Sequence, residues 1–437
     1  MKKRNRLLAL GLCSLMVLPA LTACGEDERS RGKIRLSFWI EVDTNNSRVI
    51  GQIVDEYNET NQDNIYVDLK RQAAGYTSGL SSTLQGTSVP DVVQIEEKVF
   101  KGFALQGLLA NIDDYVTEEE RNGDGDFSLS DIYTSLLNLY RVNPVTGEGG
   151  GDNDLLGVPY SVRPTMIYYN KSLFNDQKVN VISAAEAELP AGVLPHGYYV
   201  YNTAPVSGMV ARADGKYHVF NDQIAMNWEE LRELSKIFTK EYNSSSSSRY
   251  GYLSEWWFSY GWSVGGDCLE WDDADSQYKF VLGDDTDNYL VTGTAGATIN
   301  GTTYAESDIL SFEDKKYVEA HASDAAIAEY LANQTLYPLP STRDAFTEFV
   351  RLSQVTSKPV NNAGDRGYGI SPSPTTLSNK GQALYFTSGE VAMLSEGLDK
   401  VVTFRETMTP LGKEWGMAPL YRYAEYNADG SVKEVNG

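Results

Sequence analysis

Four groups of residues in this chain have types and spacings that could do chemistry. Gly261-Trp262-Ser263-Val264-Gly265 fits G-x-S-x-G, the turn that presents a nucleophilic serine in hydrolases. That chemistry needs a strand before the turn, a helix after it, and an acid and a histidine downstream; the downstream histidine is His321 alone. Paired carboxylates could serve glycoside hydrolysis, which needs two carboxyl groups about 5–9 Å apart. Sequence spacing does not set that distance, so a cell-surface polysaccharide-acting hydrolase stays open as an alternative. Asn122-Gly123-Asp124-Gly125-Asp126 begins like a calcium loop, but Phe127 and Tyr133 stand where Gly and Glu are required. A solvated acidic loop is the better reading. Asp272-Asp273-Ala274-Asp275 and Asp284-Asp285-Thr286-Asp287 read as exposed acids, with weak calcium binding open. Last, Glu255-Trp256-Trp257 and Trp262 form the densest aromatic cluster, suited to core packing or to an apolar ligand face. Three histidines, His196, His218 and His321, starve a His-rich metal site or relay, so no metal or cofactor is expected.

The N-terminus says where any such chemistry would occur. Lys2, Lys3, Arg4 and Arg6 precede an apolar run from Leu7 to Leu21, and Leu21-Thr22-Ala23-Cys24 follows. A basic start, a short apolar run and small residues at the cut describe a secretory signal. The run is shorter than the roughly 20 residues that span a bilayer. The tetrad resembles the bacterial lipobox, which makes residues 1–23 the signal peptide and Cys24 a lipidated N-terminus. The expected location is the extracellular face of a bacterial cell membrane, with residues 24–32 as a charged tether.

Loss of residues 1–23 removes four of the 37 basic side chains and none of the 60 acidic ones, moving the net charge from −23 to −27. So acidic a chain does not hold nucleic acid by phosphate neutralisation, and an anionic membrane surface repels it unless a lipid holds it there. Cys268 is then the only internal cysteine, which excludes an intramolecular disulfide and a cysteine-based zinc site. The remaining length suffices for two or three domains with sizeable cores.

The elements that must position these residues are legible from Lys33 onward. Ile34, Leu36, Phe38 and Ile40 alternate with Lys33, Arg35, Ser37 and Trp39 as in a strand, and Ile65, Val67 and Leu69 repeat the pattern. Val49, Ile50, Ile53, Val54 and Tyr57 fall on one helix face. A helix over residues 76–85, a strand at Val92, Val93 and Ile95, and a stripe at Val99, Phe100, Phe103, Ala104 and Leu108 continue the alternation. Strand–helix repetition at this spacing predicts an α/β fold with a mainly parallel sheet flanked by helices. Residues 117–154 and 180–222 read as insertions, and residues 243–248 as a mobile serine-rich loop tip. Asn227 with Glu230 predicts a helix start, and Asp344 to Val355 another helix.

Six segments in order carry a resemblance. Pro90-Asp91-Val92-Val93, Gln106-Gly107-Leu108-Leu109-Ala110-Asn111-Ile112-Asp113, and Leu156-Gly157-Val158-Pro159-Tyr160 with Ile167-Tyr168-Tyr169-Asn170-Lys171-Ser172-Leu173-Phe174 are similar to motifs of the family 1 extracellular solute-binding proteins of ABC importers, the maltose-binding-protein-like group. So are Trp228-Glu229-Glu230-Leu231, Phe386-Thr387-Ser388-Gly389-Glu390-Val391-Ala392-Met393, and Trp415-Gly416-Met417-Ala418-Pro419-Leu420. A purely structural or adhesive lipoprotein would fit the anchor but not this order of motifs.

The resemblance implies a two-lobed, class II periplasmic-binding-protein-like fold, with lobe 1 in 33–152, lobe 2 in 153–437, and a hinge crossing near 145–160. Family members continue beyond the point matching Gly437 with a return to lobe 1, so the C-terminal part is expected to be missing. The resemblance also implies a monomeric binding subunit, not an enzyme, that holds a sugar or oligosaccharide in an interlobe cleft and delivers it to permease subunits; a non-sugar polar solute is the alternative ligand. Sugars need flat partners for their C–H faces and directional groups for their hydroxyls. Ligands of such sheets bind where loops leave the carboxyl ends of strands. The candidate contacts are therefore Trp39, Glu41 and Asp43 after the first strand, Gln94, Glu96 and Glu97 after the third, Tyr160 and Arg163 at the crossing, Trp256, Trp257 and Trp262 in the aromatic cluster, and Glu396 after Met393.

Overall fold

The computed structural model describes residues 28–42, 46–73, 75–86, 89–122, 128–147, 149–254, 258–272, 277–377 and 381–436. Cys24, Asp43, Glu255, Trp256, Trp257 and the acidic residues 123–126 lie outside the described residues. The chain divides into two compact units, Met1–Val162 and Arg163–Gly437.

In the first unit the order is β1 (Ile34–Glu41), α1 (Asn46–Thr60), β2 (Ile65–Gln72), α2 (Thr77–Leu84), β3 (Val92–Val93), α3 (Glu97–Leu105) and α4 (Asp113–Asn122). The sheet is parallel with strand order β2-β1-β3, and β1 pairs with β2 from Ile34↔Ile65 to Glu41↔Gln72. Parallel strands need helical crossovers, which the alternation of the sequence supplies. Asp91 fastens β3 to β1: its carboxylate accepts from Ser37 N at 2.7 Å and Ser37 Oγ at 2.9 Å. Phe100, Ala104, Val142 and Leu156 form a small core, with Tyr140 edge-on to Phe100 at 4.9 Å.

Helix α1 is rotated from the expected orientation. It buries Ser47, Gly51 and Asn58 and leaves Val49, Ile53 and Tyr57 exposed. The cause is polar: Asn58 donates to Val67 O at 2.9 Å and accepts from Val67 N at 2.7 Å, which pins the helix to edge strand β2. A buried amide with both hydrogen bonds made outweighs a few partly buried aliphatic contacts.

The second unit comprises β4 (Thr165–Asn170), α5 (Lys171–Asp176), β5 (Val179–Ile182), β6 (Tyr198–Tyr201), β7 (Tyr217–Asn221), α6 (Trp228–Phe238), β8 (Tyr250–Leu253), α7 (Phe258–Trp262), β9 (Leu269–Asp272), β10 (Gln277–Phe280), β11 (Asn288–Val291), β12 (Ala297–Ile299), β13 (Thr302–Tyr304), α8 (Phe312–Ala320), α9 (Ala325–Ala332), β14 (Leu336–Leu339), α10 (Thr342–Ser353), α11 (Gln382–Ser388), β15 (Val391–Gly397), α12 (Lys400–Met408), β16 (Trp415–Ala418), β17 (Tyr423–Tyr426) and β18 (Val432–Asn436). Its central sheet, β16-β4-β15-β8, is mixed: β4 runs antiparallel to both β15 and β16, and β15 is parallel to β8. The mainly parallel expectation describes the first unit; here β4 enters the sheet against its neighbours. The main core joins Ile167, Tyr169, Phe174, Phe220, Leu231, Phe238, Tyr252 and Met393. A second core, with Val291, Ile299, Val318 and Leu336, sits under β11–β14, β12–β13, α8 and α9.

Motif residues have visible jobs. Asn227 accepts from Glu230 N at 2.8 Å while Glu230 Oε2 accepts from Asn227 N at 2.9 Å, a capping box that starts α6. Gly389 ends α11 at φ +83°, a left-handed turn that favours glycine and launches β15.

Two stretches differ from expectation. Residues 180–222, which show no period, contain a sheet of order β5-β7-β6. The serine run is packed, not a mobile tip: Ser246 and Ser248 are buried and donate to Phe238 O at 2.8 and 2.6 Å, satisfying the end of α6.

Candidate functional site

In the first unit, the carboxyl ends of β1 and β3 bring Trp39, Glu41 and Gln94 together. Gln94 N donates to Trp39 O at 2.9 Å, and Glu41 Oε1 accepts from Gly75 N at 3.3 Å. Tyr76, which sequence reasoning passed over, closes the group: its hydroxyl donates to the Gln94 carbonyl. Burial pushes the Tyr76 phenol up to about 12, with the Glu41 carboxylate adding to the shift. Trp39 and Glu41 are half-buried. Glu96 precedes α3 without a side-chain capping bond and pairs with Lys98, and Glu97 is exposed in the first turn, where a carboxylate suits the helix dipole. Tyr160 is exposed, outside any helix or strand.

In the second unit, Arg163 is exposed and lies two residues before β4. Glu396 pairs in register with Met166, and Leu398 N donates to Pro164 O at 3.0 Å, so Arg163 and Glu396 share one edge of the sheet. Because β15 and β8 are parallel, Glu396 lies at the same carboxyl edge from which the chain leaves β8 for α7.

Trp262, at the end of α7, is an exposed tryptophan of the unit. Its side chain is 59 % exposed and stacks on Phe258 with centroids 5.8 Å apart. It lines a cavity of about 490 Å³ whose other walls include Ser259, Ser263, Gln223, Pro419 and Arg422. The wall is held rigidly. Tyr421 donates to Ser259 Oγ at 2.8 Å, and Tyr260 packs on Tyr421 at 4.4 Å. Trp228 Nε1 donates to Ser263 Oγ at 3.1 Å, and Ser263 donates to Tyr260 O at 2.8 Å. An exposed indole beside a mixed polar and apolar cavity can stack on the C–H face of a polar ligand while walls supply hydrogen bonds.

The serine of the G-x-S-x-G motif follows helix α7 and is buried, so it does not occupy a strand-to-helix elbow. The turn behind it is tight: a Cβ at Gly266 would meet Thr342 Oγ1 at 2.3 Å. These glycines serve packing. His321 is bonded through Nδ1 to Tyr317 O at 2.9 Å and stacked on Tyr317.

A second hollow of about 420 Å³, lined by Lys240, Glu241, Arg249, Tyr250 and Glu390 among others, is charged and holds none of the expected contacts. Arg422 and Gln223 escaped sequence reasoning; the signal for Arg422 is its place two residues after the Pro419-Leu420 motif.

The sequence profile of the bacterial extracellular solute-binding proteins matches residues 44–333, well over half the chain. No curated protein matches the sequence. Solved structures similar to it include an ABC substrate-binding protein from Listeria monocytogenes in complex with cycloalternan, 15% identical, TM-score 0.46, covering 90% of this chain and 68% of that one. The sugar-binding protein MalE from Xanthomonas citri is 16% identical, TM-score 0.46, covering 89% and 66%. A sugar transporter from Rhizobium etli in an open conformation is 13% identical, TM-score 0.47, covering 92% and 72%. The chain spans about two thirds of the length of these structures. The profile match, over segments whose motifs occur in the family's order, shows that this chain belongs to the family 1 bacterial extracellular solute-binding proteins.

Proposed function

We propose that this chain is the lipid-anchored, monomeric binding subunit of an ABC importer and that its ligand is a sugar or oligosaccharide. The observation that carries the reading is Trp262: a large indole kept in solvent, in a family of solute binders, beside a cavity with serine, amide and guanidinium groups in its walls. Leaving that much aromatic surface wet is costly unless a ligand covers it. Within the first unit Trp39, Glu41 and Gln94, with Tyr76, and within the second Glu396 and Arg163, are further side chains of the kinds that meet sugar hydroxyls and ring faces. The chain performs no bond-breaking step. Binding shifts its population toward the conformer that the permease subunits read. Lipidation of Cys24 keeps it at the extracellular face of the cell membrane, where its charge alone would not.

A thermal-shift screen of the purified chain against mono-, di- and oligosaccharides, amino acids and polyamines tests this. A ligand that binds only the native state adds about 2.7 kcal/mol at one hundred times its dissociation constant. The expected result is a shift with one sugar class and none with amino acids or polyamines. A shift with another solute alone would overturn the ligand assignment, and reducing-end release from a glycan would overturn the non-enzymatic reading.

A further inference from the structure

We propose that the ligand is an oligosaccharide that runs from the Trp262 cavity onto the outer face of the β9–β10 hairpin, where Phe280 and Tyr278 stack on its further units; this rests on the sugar-binding reading above. The hairpin has its polarity reversed. Strands β9 and β10 pair antiparallel, with Phe280 opposite Leu269 and Lys279 opposite Glu270. Opposed residues share a face, and successive residues alternate between faces. Glu270 points inward: its side chain is 15 % exposed and lies 3.4 Å from the Nζ of Lys315, which is 1 % exposed. The other face therefore carries Leu269, Phe280 and Tyr278, which are 52 %, 71 % and 57 % exposed. An antiparallel sheet with one wet side ordinarily turns its apolar side in. Here the buried ammonium fixes the reverse, because hiding the rings would take Glu270 from Lys315.

This exposed face continues from the cavity. A side-chain hydrogen bond joins Trp262 to Asp267. Asp267 precedes Leu269 by two residues, a span of at most about 7 Å. Leu269 in turn stands directly opposite Phe280. Phe280 and Tyr278 lie two positions apart on one strand, about 7 Å along it. Rings in such a row offer flat partners to the C–H faces of successive sugar units. The Asp267 carboxylate, between the indole and the hairpin, has lone pairs beyond the one given to Trp262 and can accept from a sugar hydroxyl.

The size of the face decides what covers it. Two strands of four residues make a strip about 13 Å long and about 10 Å wide. A stable protein interface needs about 800 Å² from each partner, several times this area. A narrow row of rings suits a chain one sugar unit wide.

Titration calorimetry of the purified chain with gluco-, xylo- and manno-oligosaccharides of one to six units tests the proposal. In the series that binds, we expect affinity to rise at least about tenfold between one unit and four. Phe280→Ser combined with Tyr278→Ser should remove that gain with length. Equal affinity for one and four units, or a gain that survives in the double variant, would overturn the hairpin subsite and leave the sugar reading standing. A dimer in sedimentation that the double variant abolishes would give the face to a second copy and likewise overturn it. Binding of no saccharide, with another solute bound instead, would overturn both readings. The size series uses the unaltered protein, so equal affinities refute the subsite even when the variant does not fold.

Discussion

The indole of Trp228 and the hydroxyl of Ser263 are hydrogen-bonded at 3.1 Å, joining the first residue of α6 to the residue after α7. Ser263 donates its own hydrogen bond to Tyr260 O at 2.8 Å. Its hydroxyl is thus a structural bridge between the two helices and is not held ready for attack on a substrate. Ser263→Ala should strip the indole of its acceptor and cost about 1–3 kcal/mol in urea unfolding. Neither form should cleave an activated ester; an esterase activity lost in the variant would contradict the structural role.

Trp262→Ala should separate binding from stability. The side chain is largely wet, so unfolding free energy should change by less than about 1 kcal/mol. Sugar affinity, read by titration calorimetry, should fall at least about tenfold. Unchanged affinity would move the ligand away from this cavity.

Lys315 is a buried charge on which part of the second unit turns. Its ammonium is 1 % exposed and lies 3.0 Å from Asp284 Oδ2, 3.0 Å from Asn288 Oδ1 and 3.4 Å from Glu270. Burial raises the Asp284 pKa, but the hydrogen bonds of Lys316 and Lys315 overcome that and hold it below the ordinary value. Removal of this ammonium takes the cation from Glu270 and leaves Asp284 with Lys316 alone, so Lys315→Ala should destabilise by about 3–5 kcal/mol. A loss under 1 kcal/mol on chemical denaturation would show that water compensates the site.

His218 gives a pH dependence of known sign. Its Nδ1 meets the Tyr198 hydroxyl at 2.7 Å and its Nε2 the Asp214 carboxylate at 2.9 Å. Burial lowers its pKa against the opposing pull of Asp214. The folded state then binds this proton less readily than the unfolded chain, so its stabilisation is present above the unfolded value of about 6.5 and is lost as pH falls below it. Unfolding free energy should drop between pH 7.5 and 5, and His218→Gln should flatten that slope. An unchanged slope in the variant would assign the effect elsewhere.

Much of the architecture and the family were already determined by sequence. Alternation at Ile34–Ile40 and Ile65–Leu69 specified strands, because a period of two places every second side chain on one face. Asn227 with Glu230 determined a helix start because the two side chains satisfy backbone groups a fixed three residues apart. Such patterns are local, and local geometry follows from spacing. Tertiary structure decided the rest. A periodicity does not say which face an amide such as Asn58 will pin, so Val49, Ile53 and Tyr57 of α1 point outward. A serine run reads as a loop until Phe238 presents its carbonyl. The cavity joins Trp262 to Pro419 and Arg422, more than 150 positions away in sequence. Its walls form from side chains converging over such distances, and no spacing along a chain encodes that convergence.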